Sequence, residues 1–127
     1  MRTKEISVEQ WSLFFSDMTQ LHQGERVNVE TIGDGDLGPT SHVRALPLAG
    51  IITADPKGGT AEWIEIIAGD SANTHATHSI PNPKHVRMAQ EDNGQAVAIQ
   101  IESSRGLITM VRFEQTCEGM PPGFTIA

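Results

Sequence analysis

Residues 84–114 read KHVRMAQEDNGQAVAIQIESSRGLITMVRFE, and this stretch decides the fold class. Asn93-Gly94 is the strongest short hairpin signal in the chain, because both residue types take the positive φ that a tight two-residue turn requires. Val86 and Met88 begin a strand before it, and Val97, Ile99 and Ile101 alternate cleanly after it. Ser104-Arg105-Gly106 makes a second turn, and a further strand follows over 107–114. The spacing predicts a three-stranded antiparallel meander over 84–114.

Working toward the N-terminus, every periodic segment back to Gly24 is short and has a period near two. Val27, Val29 and Thr31 alternate with Asn28 and Glu30, which predicts a half-buried strand over 26–32. Segments 48–54 and 61–68 flank Asp55-Pro56-Lys57-Gly58-Gly59-Thr60, a turn-rich run that reads as a hairpin loop. Trp63, Ile64, Ile66 and Ile67 place apolar groups on both faces, so 61–68 is a central strand. No helical stretch long enough for a parallel crossover separates these strands, which excludes a doubly wound nucleotide-binding fold.

Helical periodicity occurs once. Val8, Trp11, Phe14, Phe15, Met18 and Leu21 recur at helical spacing behind Ser7, with Gln10 placed for a capping box and Ile6 and Trp11 at the two staple positions. The pattern stops at Gly24, which predicts a helix over 8–22 that covers one face of the sheet. The fold class is therefore α+β: an N-terminal helix packed on a strongly curved antiparallel sheet, or small open β-barrel, of five to seven strands. The expected core joins Trp11, Phe14 and Met18 to Trp63, Ile64, Ile66, Val97, Ile99 and Val111.

At 127 residues the chain can bury roughly two-thirds of its extended surface in one core, so a single globular domain over 1–115 is expected, followed by a tail over 116–127. Nine Lys and Arg against sixteen Asp and Glu give a net charge of −7. Residues 1–83 carry five basic against eleven acidic side chains, 84–114 four against four, and 115–127 only Glu118. No block is basic, which disfavours a general grip on nucleic acid or on an anionic membrane surface. The single Cys117 allows no internal disulfide, and Met1 is not followed by a basic and then apolar leader, so a reducing cytoplasm is the expected compartment.

Candidate chemistry is sparse. His75 and His78 form a His-x-x-His pair, and His85 follows past Pro81 and Pro83; imidazoles in this number can hold zinc. The surrounding threonines and prolines favour extended backbone, where residues three apart face opposite sides, so the pair is badly aimed for one ion. Asp34 and Asp36 resemble the start of a calcium loop, but Gly38 stands at the third oxygen position and the terminal bidentate Glu is missing. Cys117 has an acidic neighbour and no cation, a setting that disfavours the thiolate. No catalytic residue, cofactor or metal is assigned. The expectation is a non-enzymatic binding or assembly module; the alternative is a metal-binding protein or small enzyme using His75, His78 and His85.

Trp11-x-x-Phe14-Phe15, Pro47-Leu48-Ala49-Gly50-Ile51, Ile64-Glu65-Ile66, His78-Ser79-Ile80-Pro81-Asn82-Pro83, Val86-Arg87 and Gly106-x-x-x-x-Val111-Arg112-Phe113 together resemble a small bacterial family catalogued as domain of unknown function 5335. The resemblance covers residues 5–114, and the His-x-Ile-Pro-x-Pro run is its most specific piece. It implies a bacterial cytoplasmic origin and brings no activity or site residues with it. In element order alone the chain is also similar to the Sm-like barrel, a fold that forms rings and binds RNA; the net acidity argues against carrying over the RNA.

Two segments invite specific expectations. Pro81-Asn82-Pro83 should form an ordered corner, since each proline restricts itself and its predecessor to extended backbone. The tail combines Gly119, Pro121, Pro122 and Gly123 with Met120, Phe124 and Ile126, too apolar for a solvated end and too proline-rich for an ordinary strand. Phe124 and Ile126 are expected to bind, in a groove of their own domain, on a second copy, or on a protein partner. Deleting residues 119–127 should lower the melting temperature if the tail docks on its own domain, and reduce the mass in solution if it docks on a second copy. A variant with neither change leaves only an outside partner or a frayed end.

Overall fold

The computed structural model describes residues 2–33, 40–54, 63–71, 74–92, 96–104 and 106–114. The Asp34/Asp36 loop, the Asp55–Thr60 and Asn93-Gly94 turns, Cys117 and the tail with Phe124 and Ile126 lie outside the described residues. In chain order the elements are β1 (Arg2–Ile6), a 3-10 turn (Val8–Gln10), α1 (Trp11–His22), β2 (Arg26–Ile32), β3 (Thr40–Ala54), β4 (Trp63–Ser71), β5 (Thr74–Pro81), β6 (Pro83–Gln90), β7 (Ala96–Ser103) and β8 (Ile108–Phe113). The strands form one antiparallel sheet in the order β1-β6-β7-β8-β2-β3-β4-β5. The sheet is α+β as expected, open between β1 and β5, and has eight strands rather than five to seven.

The meander is present: Met88 faces Ile99 across β6 and β7, and Ile99 faces Val111 across β7 and β8. Three strand segments carried no usable periodicity. β1 has four exposed residues of five and is held to β6 by its backbone, so no apolar pattern marks it. The first half of β3 is irregular, and β5 consists of threonine, histidine, alanine, serine, isoleucine and proline with little hydropathy contrast.

β3 curls the sheet. Its residues 40–47 pair with β2, and its residues 48–54 pair with β4. Within the first of these segments Ala45 adopts a left-handed φ of 54°, and its N–H donates to Asn28 Oδ1 at 3.0 Å. The register counts two extra residues on β3: Val27 faces Leu46 but Val29 faces Val43, and Glu30 then faces Ser41. Such bulges bend a strand and re-aim a side chain; here the second one sets His42 out of register. A second corner joins β5 to β6 at Asn82, φ 51°, whose carbonyl accepts the Ser104 N–H at 2.9 Å while Pro83 is buried. The expected Pro81-Asn82-Pro83 corner is present, but Asn82 makes it in left-handed backbone rather than in the extended form expected of a residue before proline.

α1 lies across β3 and closes one end of the interior. Trp11, Phe15, Met18 and His22 form its buried stripe, whereas Leu21 is 72% exposed and Phe14 only partly buried, so the apolar stripe is rotated from the expected one. Ser7 makes no side-chain cap; the Gln10 N–H donates to the Ser7 carbonyl instead and closes the 3-10 turn, so the expected capping box is absent. The Ile6 and Trp11 staple is present and is reinforced by the indole N–H donating to the Ile6 carbonyl at 2.9 Å. Gly24 takes φ 91°, and its N–H donates to the Leu48 carbonyl, which ties the helix end to β3.

Of the expected core, Trp11, Met18, Ile64, Ile66, Ile99 and Val111 are buried. Val97 is half-buried, and Trp63 is 41% exposed because β4 turns residues 64, 66 and 68 inward, leaving 63 on the outer face. Phe15 replaces Phe14 as the helix's main aromatic anchor. Phe15→Ala should therefore cost about 3–5 kcal/mol in chemical denaturation, and Phe14→Ala less than half of that. Equal losses would mean that the two rings share the core equally.

Candidate functional site

The inward faces of three neighbouring strands change chemistry along their length. On β2 the series is Val27, Val29, Thr31; on β8, read backwards, Phe113, Val111, Thr109; on β7, Ile99, Ile101, Ser103. Every one of these nine residues is buried. Val27 pairs with Phe113, Val29 with Val111 and Thr31 with Thr109, so the hydroxyls gather at one end. The other end lies against α1, where the His22 ring stacks on Phe113 at a centroid distance of 4.2 Å and bonds Glu25 through Nδ1 at 3.0 Å. Thr109 and Phe113 are four residues apart, which puts the hydroxyl end roughly 13 Å from the helix-capped end.

β5 borders this hydroxyl end. Alternation turns Ala76, His78 and Ile80 inward and leaves His75, Thr77 and Ser79 exposed. The His78 ring stacks on His42, centroids 4.2 Å apart and planes 26° apart, and His42 Nε2 lies 2.9 Å from Thr31 Oγ1. The bulge that displaces His42 from the β2 register thus completes a polar row from Thr109 through Thr31 and His42 to His78. Beside it opens a cleft of about 400 Å³, lined by His78, Ile80, Asn82, Ser103, Leu107 and Thr109 among others, with no Lys, Arg, Asp or Glu among the described residues of its wall. Thr109 is 1% exposed and its Oγ1 has no hydrogen-bond partner among the described residues. An orphaned hydroxyl costs about 1–3 kcal/mol, and only a few buried polar groups per hundred residues are left in that state.

A larger groove of about 480 Å³ runs between α1 and β3. Its half-buried Thr19 hydroxyl is already satisfied, because Thr19 Oγ1 accepts the Ile51 N–H at 3.1 Å. The hydroxyl mouth is the better candidate.

The three histidines singled out by spacing do not converge. His75 is exposed on the outer face of β5, His78 is half-buried on the inner face, and His85 is exposed on β6, 2.9 Å from Glu5 of β1. The hydrogen bond from His85, and then the Arg87 charge, hold the Glu5 carboxyl below the usual carboxylate range. Arg87 also reaches Glu102 at 3.1 Å, so His85 belongs to an exposed charge network on the outer sheet face. Among the described residues no three His, Cys, Asp or Glu side chains gather as a metal site. His42, Thr31, Ser103 and Thr109 are the residues that spacing missed. Their signal was in the sequence as hydroxyls continuing the inward phase of an apolar series; His42 had none, since the bulge that places it is set by pairing.

Burial, and then the charge of His42, push the His78 imidazole below its ordinary pKa of 6.5. The unfolded chain takes up that proton near pH 6.5, so stability attached to His78 is intact above this pH and is lost as pH falls toward the folded value. Lowering the pH from about 7.5 to about 5.5 should therefore reduce the melting temperature. His78→Phe, which keeps a stackable ring without a titrating group, should show a smaller reduction. An equal pH dependence in variant and parent would remove His78 from the account.

No helix among the described residues is long and apolar enough to cross a membrane. No solved structure matches the chain. An uncharacterized protein of Aquifex aeolicus (strain VF5) is 28% identical over 114 residues, covering 90% of this chain and 94% of that protein. The model of the "Family of unknown function (DUF5335)" matches residues 2–122, which carries the helix, all eight strands and the hydroxyl mouth, and the chain belongs to that family.

Proposed function

We propose that this chain is a non-enzymatic binding module whose site is the hydroxyl mouth, and that its ligand is a small uncharged molecule bearing amide-like or hydroxyl hydrogen-bonding groups. The observation that carries this reading is Thr109, a lining residue of the cleft whose buried Oγ1 has no hydrogen-bond partner among the described residues. A ligand that bonds this hydroxyl offsets a cost the free protein carries. The cleft volume of about 400 Å³ lies within the range of small-molecule pockets. The described residues of the wall carry no charge, which favours an uncharged ligand, because an ion placed against them would lose hydration without a partner. The neutral His78 ring offers one nitrogen as donor and one as acceptor, and Leu107, 40% exposed, offers an apolar contact. The lone Cys117 supports a reducing, cytoplasmic setting. Nothing in the placement of His75, His78 and His85 supports the metal or enzyme alternative.

The test uses Thr109→Val, which keeps the shape of the side chain and removes the hydroxyl. The parent, isotopically labelled and titrated with N-methylacetamide, should show amide shifts confined to residues around Thr109, Ser103 and His78, and the variant should lose them. The variant should be as stable as the parent or more so, by up to about 1–3 kcal/mol, because an unsatisfied group has been removed. Shifts spread over the whole surface, or shifts retained in Thr109→Val, would overturn the assignment.

A further inference from the structure

The sheet has two edges, and they are built differently. β1 carries Arg2, Lys4 and Glu5 among its five residues, the charged edge by which proteins discourage strand addition. β5 carries no Lys, Arg, Asp or Glu in eight residues, and its His75, Thr77 and Ser79 are exposed. Among the described residues β5 pairs only with β4, so alternate backbone N–H and C=O groups of β5 face away from the sheet. In a chain of net charge −7, this uncharged strand is, of the two edges among the described residues, the one where two copies can meet backbone to backbone with the least like-charge repulsion.

We propose that two copies of this chain associate through β5, antiparallel, about a two-fold axis at Thr77. An axis there pairs Thr74 with Ile80 of the second copy and keeps every side chain on its own face, since opposed residues in a sheet share a face. It sets Thr77 opposite Thr77 of the second copy, a favourable cross-strand pair, and His75 opposite Ser79. Ser79 already donates its hydroxyl to Glu65 of β4 at 3.4 Å. The outer face of the joined sheet therefore carries, twice, a row of carboxylate, hydroxyl and imidazole running from Glu65 through Ser79 to His75 of the second copy. This complementarity selects a second copy over an unrelated strand. The pairing is isologous and uses up β5, and the charged β1 edge does not offer a second site, so the assembly closes as a dimer.

Sedimentation equilibrium of the full chain up to about 1 mM should give a monomer–dimer equilibrium. Thr77→Lys opposes two cations at the axis and should weaken association roughly tenfold or more with the folded spectrum unchanged. In a Cys117→Ser background, Thr77→Cys should form an intermolecular disulfide on mild oxidation, whereas Thr3→Cys on β1 should not. A parent that stays monomeric throughout, a dimer of unchanged affinity in Thr77→Lys, or cross-linking at position 3 rather than 77 overturns the proposal.

Discussion

The bend of β3 at Ala45 is the constraint on which the remaining structure depends. A non-glycine residue in left-handed backbone costs about 1–2 kcal/mol, so the bend must be held from outside. Asn28 of β2 holds it: its Oδ1 accepts the Ala45 N–H, and its Nδ2 donates to Glu114 just past β8, both at 3.0 Å. One amide side chain thereby joins three strands. The bend lets a single strand pair with β2 on one side and β4 on the other, and it delivers Leu48, whose backbone bonds Gly24 and Glu25, to the end of α1. The position of the helix and the curl of the sheet follow from the same few hydrogen bonds.

Curling gives the interior two unlike ends. Toward α1 it is closed by aromatic packing, with Trp11, Phe15 and Phe113 all buried and His22 stacked on Phe113. Toward β5 the same strands end in buried Thr31, Ser103 and Thr109, and half-buried His78 stacked on exposed His42 borders that layer. A domain selected for stability alone would fill that layer with methyl groups, which bury without needing partners. Keeping a buried hydroxyl unsatisfied there is a local departure from good packing, of the kind that concentrates at binding sites. The His78 imidazole, held below its ordinary pKa first by burial, acts in the same direction: it adds polarity to the mouth while disfavouring charge there.

Much of the fold was legible because it rests on short-range patterns. The meander over 84–114 follows from one turn dipeptide and a period of two, and the helix over 8–22 from spacing and a terminal glycine. The illegible parts share a cause. β1 is an edge strand held by backbone pairing to a distant strand, so its side chains carry no signal. Trp63 looked like core because large aromatics usually are, yet its place in the alternation of β4 puts it outside. The helix stripe shifted from Phe14 and Leu21 to Phe15 and His22 because β3 decides which helix face is covered, and β3's course is set by Asn28.

The sequence by itself determined an acidic α+β domain with one helix and mainly antiparallel strands, and it determined that His75 and His78 would face opposite sides, because alternation along a strand is a local property of the backbone. It placed Pro81-Asn82-Pro83 at a corner for the same kind of reason, the fixed φ of proline. Only the tertiary structure decided where the candidate site lies. Thr31, His42, His78 and Thr109 come from four strands separated by up to 78 residues, and they meet because two bulges in β3 and the Asn82 corner bring β5 over the ends of β2 and β8. Register between distant strands is set by the sum of their pairing and burial, so no residue in that row announces its neighbours in the chain.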